Sequence, residues 1–451
     1  MSDIIAAIAT GRAPCAIGIL RLSGPGCAAL TGRVFTPKQP FADAPDRRLV
    51  LGLLHDRQGR VIDECLGVVC RAPHSYTGEE TVELQCHGSP AMLAAGLEAL
   101  LAAGARQAGP GEFTRRAFLN GKLDLTQAEA VVDLIDAETA DAAANAAGQL
   151  GGALKRAIGP VYDGLTDLCS HFHAVLDYPD EDIEDFGAAE LSGALDRAGA
   201  ALQELLATYE KGRHLRQGVR AVLLGKPNAG KSSLLNRLAG YDRVIVTDIA
   251  GTTRDTVEEP VRVGRVLLRL TDTAGIREAG DAIEALGVAR SEQAAREAEL
   301  ALFVCDASQP LTDEDHRAIE AAKCAPRSLA LCNKSDLPAA VSPDELPFDT
   351  VLTVSARTGA GLDALPALLE GWFLGGNACD GSLLTNPRQF GALDRASRAI
   401  ERAKTGLCLG VTPDAVLTDV EEAMAALGEV TGRTVREDIT NRIFERFCVG
   451  K

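Results

Sequence analysis

The sequence lacks the cysteine spacing of a disulfide-rich or zinc-binding protein. Its 451 residues include 12 cysteines, but no two of them form a C-x-x-C pair. Disulfide frameworks and structural zinc sites depend on such close and regular spacing. We therefore expect reduced thiols, mostly buried as small hydrophobic side chains, in a cytoplasmic protein.

Long apolar runs are missing as well. The N-terminal stretch MSDIIAAIATGRAPC has Asp3 where a secretory signal carries Lys or Arg, and Gly11 and Pro14 interrupt its apolar part. A membrane-spanning helix needs roughly 18 or more apolar residues in succession. The sequence contains no such run, and we predict neither a signal peptide nor a membrane span.

Basic residues are too few to balance the acidic ones. The chain has 46 Lys and Arg against 63 Asp and Glu, a formal net charge of −17. A protein with this charge has no overall field that attracts nucleic acid or anionic lipid. Any contact with nucleic acid is therefore expected to be local, or to be made through a partner protein.

The octapeptide GKPNAGKS at residues 225–232 fits the phosphate-loop pattern G-x-x-x-x-G-K-S. It follows the strand-like run VRAVLL and precedes the helix-like run SSLLNRLAG, which is the context that the motif requires. Backbone N–H groups of such a loop point at the phosphates, and the following helix N-terminus adds positive potential. Lys231 is predicted to bridge the β- and γ-phosphates and Ser232 to ligate magnesium.

Three further motifs stand at the predicted carboxyl ends of strands, where open α/β sheets bind their ligands. They are DTAG at 272–275, NKSD at 333–336 and SAR at 355–357. Asp272 can hold magnesium through water, and the Gly275 N–H can meet the γ-phosphate. The carboxylate of Asp336 can accept both N1–H and N2–H of guanine, a donor pair that adenine lacks. The four motifs in this order predict a GTPase.

The residue that follows D-x-x-G is Ile276, where Ras-like GTPases have a glutamine that orients the attacking water. Isoleucine cannot orient water, and the sequence identifies no arginine finger. Another positive charge is therefore needed near the phosphoryl group. The amide oxygen of Asn228 can ligate a monovalent cation there, although the residue alone is equally consistent with a loop spacer.

Hydrophobic patterning divides the chain into four predicted domain segments. They are 1–119 with short strands and a helix, 120–217 with long helices, 218–374 with alternating strands and helices, and 375–451 with helices. The alternation in the third segment predicts a parallel sheet covered on both faces. The predicted fold class is therefore multidomain α/β plus mainly-α, with a P-loop GTPase domain inserted into a helical domain after an N-terminal α+β domain. Thr126 and Glu129 predict a capping box at the first helix of the second segment.

The chain resembles, over its whole length, the MnmE (TrmE) family of tRNA-modification GTPases. The resemblance rests on GKPNAGKSSLLN, VTDIAGTTRD, DTAGIRE, NKSD and the C-terminal CVGK, and on SYTGEETVELQCHGSP and PGEFTRRAFLNGKLDLTQAEAVVDLIDA nearer the N-terminus. Two positions depart from the family or vary within it. Val449 replaces the usual isoleucine of the C-terminal tetrapeptide, and Lys226 occupies a position where the family has several residue types.

For the nucleotide site, the resemblance implies activation by potassium and a requirement for magnesium, with GTP as substrate. The implied potassium ligands are Asn228, Thr247, Ile249 and Thr252, and the implied magnesium ligands are Ser232 and Thr253. Glu284 would orient the attacking water, with Arg254 and Asp255 also catalytic. The implied GTP-binding residues are Asn228, Ala229, Gly230, Lys231, Ser232, Ser233, Thr247, Asp248, Ile249, Ala250, Gly251, Thr252, Thr253, Asp272, Thr273, Ala274, Gly275, Asn333, Lys334, Asp336, Ser355, Ala356 and Arg357.

For the N-terminal domain, the resemblance implies a binding site for methylene- or formyl-tetrahydrofolate. The implied folate-binding residues are Arg21, Glu83, Lys122 and Lys451. A pterin carries the same 2-amino-4-oxo pattern as guanine, and strand alternation places Glu83 opposite its apolar neighbours, free to face a pocket. Cys448 is either a nucleophile or, beside Phe447, a buried thiol with a high pKa. The buried alternative is the one that we expect.

The resemblance also implies partners and a reaction. The N-terminal domains would form a homodimer, and the GTPase domains would pair across the potassium site during turnover. A flavin-dependent MnmG (GidA) protein would join in a heterotetramer and supply most tRNA contacts. Together they would add an aminomethyl or carboxymethylaminomethyl group to C5 of the wobble uridine, with the one-carbon unit from the folate.

Two alternatives remain open at this point. A ribosome-assembly GTPase would need a basic RNA-binding appendage, and neither flank of the GTPase segment is basic. A stand-alone folate-dependent aminomethyltransferase would have a vestigial GTPase domain, but the phosphate and guanine motifs here are complete.

Overall fold

A computed structural model describes residues 3–11, 13–37, 39–177, 188–241, 258–271, 292–375, 380–434, 443–445 and 447–450. The chain divides into two compact units. The first comprises Met1–Val132, Gln149–Ala188 and Arg398–Lys451, and the second comprises Asp133–Gly148 and Ala189–Ser397. Within these described ranges, no helix is both long enough and apolar enough to cross a membrane.

The first unit contains a seven-stranded sheet. Its strands are β1 Ile5–Ile8, β2 Cys15–Ser23, β3 Phe35–Pro37, β4 Val50–His55, β5 Val61–Cys70, β6 Thr81–Gly88 and β7 Arg106–Gln107. The order is β3-β4-β5-β6-β2-β1-β7, and all neighbours are antiparallel except β1 and β7. The helices in this part of the chain are α1 Cys27–Thr31, α2 Pro90–Ala102 and α3 Glu112–Leu119.

Strand β6 shows how alternation gives this sheet its main core face. Val82, Leu84 and Cys86 are buried in the cluster beneath α2, while the residues between them point to the other face. The runs CAIGILRLSG at 15–24 and TVELQCHGS at 81–89 predict strands, and PAMLAAGLEALLAAGA from Pro90 predicts a helix. The structure confirms all three as β2, β6 and α2. Arg21 and Glu83 are register partners on β2 and β6, on the face opposite the core.

Helices make up two further parts of the chain, residues 125–217 and 387–431. They are α4 Leu125–Ile135, α5 Ala140–Leu150, α6 Ala153–Asp177, α7 Ala188–Ala207, α8 Tyr209–Gln217, α12 Pro387–Cys408 and α13 Pro413–Thr431. The predicted capping box of Thr126 with Glu129 is wrong, because α4 already begins at Leu125. Asp124 caps it instead, since the Gln127 N–H donates to Asp124 Oδ1 at 2.9 Å and the Asp124 N–H donates to Gln127 Oε1 at 3.0 Å.

The second unit contains a six-stranded sheet in the order β13-β12-β11-β8-β10-β9. Its strands are β8 Val219–Leu224, β9 Glu258–Val263, β10 Val266–Thr271, β11 Leu300–Asp306, β12 Arg327–Asn333 and β13 Val351–Thr353. The accompanying helices are α9 Lys231–Tyr241, α10 Asp313–Ala322 and α11 Ala364–Phe373. Two buried apolar clusters cover the two faces of the sheet, as predicted.

The sheet is parallel except at one edge, which the sequence did not predict. Strand β9 pairs with β10 in the antiparallel direction, while the other four pairs of neighbouring strands are parallel. Only Gly264 and Arg265 separate the paired residues Val263 and Val266, and Gly264 has a φ of 61°. A two-residue turn of this kind reverses the chain and cannot make a parallel crossover.

Helices from before and after the second sheet pack against each other. Within the second unit, Gln203 of α7 donates to Ser397 of α12 at 2.9 Å, and the Tyr209 ring of α8 stacks on Phe390 at 4.2 Å. Within the first unit, α6 packs along α13. The α/β sheet is thus inserted between helical segments, and the predicted fold class is confirmed.

Replacing Arg116 with methionine should strongly destabilise the first unit. The side chain is 9% exposed and pairs with Asp3 at 2.7 Å, Glu79 at 2.9 Å and Glu112 at 3.2 Å. The substitution leaves Glu79 and Glu112 without this cation in a poorly hydrated position, which costs about 3–5 kcal/mol. Chemical denaturation followed by circular dichroism gives the free energy of unfolding.

Arg402→Met provides the matched control in the same unit. Arg402 also bonds two carboxylates, Asp419 at 2.8 Å and Glu422 at 2.6 Å, but its side chain is 49% exposed. Water can solvate the carboxylates that this change leaves behind, so stability should fall much less. Equal effects of the two substitutions would contradict the role of burial.

Candidate functional site

The phosphate-loop motif forms a tight turn between β8 and α9. Gly225 and Gly230 have φ angles of 144° and 99°, which favour glycine. A Cβ atom at Gly225 would lie 2.1 Å from the Val304 carbonyl oxygen, and one at Gly230 would lie 2.1 Å from Asn333 Nδ2. The loop therefore rests directly on the ends of β11 and β12, and the two glycines make this close approach possible.

Lys231 is the first residue of α9 and its ammonium contacts the loop. Nζ donates to the carbonyl oxygens of Gly225 at 2.7 Å and Lys226 at 2.8 Å. Ser232 and Ser233 follow it in the first turn of α9 and are exposed. The lysine, the first-turn hydroxyls and the helix N-terminus thus lie together, as the motif predicts for a phosphate site.

Asn333 joins the phosphate loop to the SAR motif. Its side chain is buried, Nδ2 donates to the Ala229 carbonyl oxygen at 2.9 Å, and Oδ1 accepts from the Ala356 N–H at 2.9 Å. One amide therefore satisfies a carbonyl of one motif and an N–H of another. The structure places the asparagine as a bridge between the two loops, a role that sequence spacing did not predict.

Asp336 is held at the end of β12 by two neighbours from the SAR motif. The Ser355 hydroxyl donates to Oδ1 at 2.5 Å, and Arg357 Nη2 lies 2.6 Å from Oδ2. The serine hydrogen bond and the guanidinium keep the pKa of Asp336 below its ordinary value, so the carboxylate is ionised. Arg357 is 74% exposed, and its side chain can give way to a ligand that presents N–H donors.

Lys334 precedes Asp336 by two residues and contacts Asp306, a residue that sequence reasoning missed. Its Nζ is 2.6 Å from Asp306 Oδ2 at the end of β11. Burial raises the pKa of Asp306, but the Lys334 and Ser308 contacts outweigh it and lower the pKa overall. The signal in the sequence was an aspartate directly after the apolar run LALFVC, at the sheet edge that carries the other motifs.

A cavity of about 500 Å³ opens beside the phosphate loop. It is lined by Lys226, Pro227, Asn228, Asp306, Gln309, Thr312, Asp313, Glu314 and Lys334. Asn228 has a left-handed backbone with φ 62° and an exposed side chain. Its role as a cation ligand stays a prediction.

Several predicted site residues lie outside the described residues. They are Thr247, Asp248, Ile249, Ala250, Gly251, Thr252, Thr253, Arg254, Asp255, Asp272, Thr273, Ala274, Gly275, Glu284 and Lys451. The predicted catalytic residues are all among them, together with three of the four potassium ligands. Their roles stay predictions.

The predicted folate residues Arg21 and Glu83 are in direct contact. Arg21 Nε donates to Glu83 Oε1 at 2.8 Å, and Nη2 is also 2.8 Å from Oε1. The guanidinium lies 5.7 Å from the centre of the Tyr76 ring and 5.8 Å from that of Phe113. Both of these contacts fall on Oε1, and the carboxylate side chain is 28% exposed.

Lys122 and the C-terminus reach the same region through backbone contacts. Lys122 Nζ donates to the Pro73 carbonyl oxygen at 3.2 Å, in the segment that continues to Tyr76. Arg21 Nη1 is 3.4 Å from the carbonyl oxygen of Gly450, the residue before Lys451. The structure therefore brings Arg21 and Glu83 together, and the Lys122 ammonium contacts the segment that leads to Tyr76.

The expected burial of Cys448 is wrong. The cysteine is exposed, whereas Phe447 is buried with Phe444 and Ala128 in a small aromatic cluster. Val449, the residue after Cys448, forms an isolated antiparallel bridge with Pro110. The phenylalanine side chain thus takes the buried position, and Cys448 faces solvent.

Comparisons with known proteins agree over the full chain. The family model "GTP-binding protein TrmE N-terminus" matches residues 4–122, and the model "MnmE helical domain" matches residues 125–448. A tRNA modification GTPase MnmE of Roseiflexus sp. strain RS-1 is 46% identical and covers 100% of this chain and 99% of that protein. The protein of that name from Roseiflexus castenholzii is 44% identical, and the match spans 100% of this chain and 99% of that protein. The one from Chloroflexus aurantiacus is 43% identical, and the match spans 100% of both chains.

Substituting Asn333 with aspartate should weaken GTP binding by at least about tenfold, since a hydrogen-bond donor becomes a charge that faces a carbonyl oxygen. The new carboxylate can still accept from Ala356 but repels the oxygen of Ala229. Titration with a fluorescent GTP analogue measures the dissociation constant.

The same chemical change at Asn386 serves as the control. Asn386 Oδ1 accepts from the Arg388 N–H at the start of α12, and aspartate performs this capping role equally well. Asn386→Asp should leave the dissociation constant unchanged. Normal affinity in the Asn333→Asp protein would show that the bridge does not shape the nucleotide site.

Proposed function

The chain belongs to the MnmE family of tRNA modification GTPases, and from this premise we propose a potassium-activated GTPase that works with a one-carbon folate on the wobble uridine of tRNA. GTP hydrolysis in tRNA modification follows from the family itself. The finer proposal rests chiefly on one observation: the chain carries, besides the GTPase motifs, the separate Arg21–Glu83 site. The product would be an aminomethyl or carboxymethylaminomethyl group on C5 of that uridine.

The chemistry of Asn228 supports potassium activation. Its amide oxygen is a hard neutral ligand at the phosphate loop. The residue after D-x-x-G is Ile276, which cannot orient water, and the sequence identifies no arginine finger that would stabilise the charge on the phosphates. Thr247, Ile249 and Thr252 would complete the coordination. A cation held there would stabilise negative charge on the phosphates during hydrolysis.

The residues of α9 support magnesium binding. Ser232 presents an exposed hydroxyl in the first turn, next to Lys231, and hydroxyl oxygen suits a small hard cation. Thr253 would provide a second hydroxyl ligand. In this proposal Lys231 neutralises phosphate oxygens, Asp336 selects guanine, and Glu284 positions the attacking water.

The first unit supplies residues that fit a reduced folate. The Glu83 carboxylate would accept the N–H pair of a pterin, and the Arg21 contacts would orient it. Tyr76 presents an aromatic face beside them, and Lys122 and Lys451 would supply cations for the glutamate tail. When bound, the folate supplies the one-carbon unit of the new substituent.

We further infer the partners from the family and from the charge. With a net charge of −17, the chain would hold tRNA weakly, and a flavin-dependent MnmG protein would supply most phosphate contacts in a heterotetramer. The chain itself would form a homodimer through its N-terminal domain. The absence of C-x-x-C spacing among the 12 cysteines favours a cytoplasmic location.

Potassium should accelerate GTP hydrolysis by at least about tenfold over sodium at equal ionic strength, because a correctly placed cation stabilises transition-state charge. Asn228→Ala should abolish this difference and retain GTP binding. Gln309→Ala, which changes another amide on the same cavity wall, should keep the potassium effect. Steady-state phosphate release in the two salts provides the measurement, and equal wild-type rates would refute potassium activation.

Glu83→Ala should weaken folate binding by at least about tenfold, because hydrogen bonds to a charged group contribute about 1.5–3 kcal/mol each. GTP hydrolysis should persist, since the phosphate and guanine motifs are not altered. Calorimetry with 5-formyltetrahydrofolate measures the affinity, and nucleoside analysis of tRNA from a complemented strain measures wobble-uridine modification, which should fail.

Gln85→Ala is the matched control, because Gln85 lies two residues further along the same face of β6. It should change the folate affinity by less than about twofold, as expected for a polar residue outside the site. A Glu83→Ala protein with normal folate affinity and normal tRNA modification would overturn the folate assignment.

A further inference from the structure

Lys226 is a second lysine in the phosphate loop, and the GTP contacts predicted from the motif do not use its side chain. Its ammonium lies 2.9 Å from Oδ2 of Asp315, which is in the first turn of α10. The lysine side chain is 10% exposed and the aspartate is fully buried. The loop is thus joined to a different helix from the one that it precedes.

Asp315 is already part of a helix cap. Its Oδ2 accepts from the Thr312 N–H at 2.9 Å and the Thr312 hydroxyl at 2.8 Å, and Thr312 completes a capping box at α10. In the described part of the chain, Oδ1 of this buried carboxylate has no hydrogen-bond partner, and the ion pair that we find for it is with Lys226. A buried carboxylate that loses its cation is strongly destabilised, so Asp315 holds Lys226 in place.

The same lysine also contacts Lys231 through its backbone. The carbonyl oxygen of Lys226 accepts from Lys231 Nζ at 2.8 Å. Fixing the side chain of Lys226 limits the positions available to its carbonyl group, and hence to the ammonium that this carbonyl binds. A continuous path of contacts therefore runs from Asp315 through Lys226 to Lys231.

We propose that Lys226 and Asp315 are positioning residues of the GTP site, which fix the phosphate loop so that Lys231 is correctly placed for the phosphates. The pair does not touch the nucleotide and acts through Lys231. This inference rests on the GTPase assignment, and it is independent of the potassium and folate proposals.

The test uses the full-length protein with Lys226→Met, Lys226→Arg and the double variant Lys226→Met/Asp315→Asn. Lys226→Met should weaken binding of both GTP and GDP by about tenfold, the scale of a hydrogen bond to a charged group. Lys226→Arg retains the charge and should restore most of the affinity. Titrations with fluorescent GTP and GDP analogues and thermal denaturation supply the two readouts.

The double variant separates positioning from stability. Asparagine carries no charge, so removing both charges should return the melting temperature toward the wild-type value while nucleotide affinity stays low. Affinity that recovers together with the melting temperature would overturn the proposal, because the pair would then act only on stability. If Lys226→Met itself does not fold, the double variant alone decides between these outcomes.

A second measurement asks whether the effect passes through Lys231. In a Lys231→Ala background, Lys226→Met should reduce affinity by less than about twofold further, because interacting residues are not additive. A full tenfold loss in that background would overturn the proposed path. Lys323→Met is the matched control. Lys323 directly follows α10, and its ammonium contacts the 71% exposed Glu320 at 2.9 Å. This substitution should leave nucleotide affinity unchanged.

The outcomes also distinguish this inference from the GTPase assignment. A wild-type protein that binds neither GTP nor GDP would refute the assignment of the loop. Tight wild-type binding with unchanged affinity in Lys226→Met would refute the positioning role alone.

Discussion

The buried amide of Asn333 is the contact on which the organisation of the nucleotide site depends. It donates to a carbonyl of the phosphate loop and accepts from an N–H of the SAR motif, two segments that are more than a hundred residues apart. Both backbone groups are buried, and both would be costly to leave without partners. The same side chain is so close to Gly230 that any Cβ there would collide with it. The position of the Asn333 side chain therefore requires a glycine at residue 230.

Two carboxylates, one at the end of β11 and one in α10, hold lysines near the phosphate loop. Asp306 at the end of β11 holds Lys334, and Asp315 in the first turn of α10 holds Lys226. The acidic residues are the buried members of both pairs, with 3% and 0% of their side chains exposed. Desolvation makes such pairs a modest source of stability but a strict geometric constraint, because removing one partner leaves a charge in a dry environment. The two ion pairs therefore limit the positions of the phosphate loop, which contains Lys226, and of the NKSD motif, which contains Lys334.

Asp336 and Glu83 present two solutions to a similar recognition problem. In our proposal each accepts an N–H pair from a 2-amino-4-oxo ring, and each is paired with an arginine. Arg357 is 74% exposed and can leave Asp336 when guanine arrives, whereas Arg21 is 18% exposed and lies near two aromatic rings. Both of the Arg21 contacts fall on Oε1 of Glu83. In this proposal the loop carboxylate would exchange its arginine for the ligand, while the strand carboxylate would keep its arginine.

The sequence by itself determined the local features of this protein. Glycine spacing identified the phosphate loop, alternation identified β6, and apolar runs identified five of the six strands of the second sheet, because each depends on residues close together in the chain. The sequence did not identify β9. Two local predictions were nevertheless wrong. Asp124 caps α4 where Thr126 was predicted to do so, and a two-residue turn makes β9 antiparallel in a sheet that was predicted to be parallel. Only the tertiary structure decided that Asn333 bridges two motifs, that Lys226 pairs with Asp315, and that Phe447 takes the buried position beside an exposed Cys448. These contacts join residues far apart in sequence, and chain packing, which no local pattern encodes, selects them.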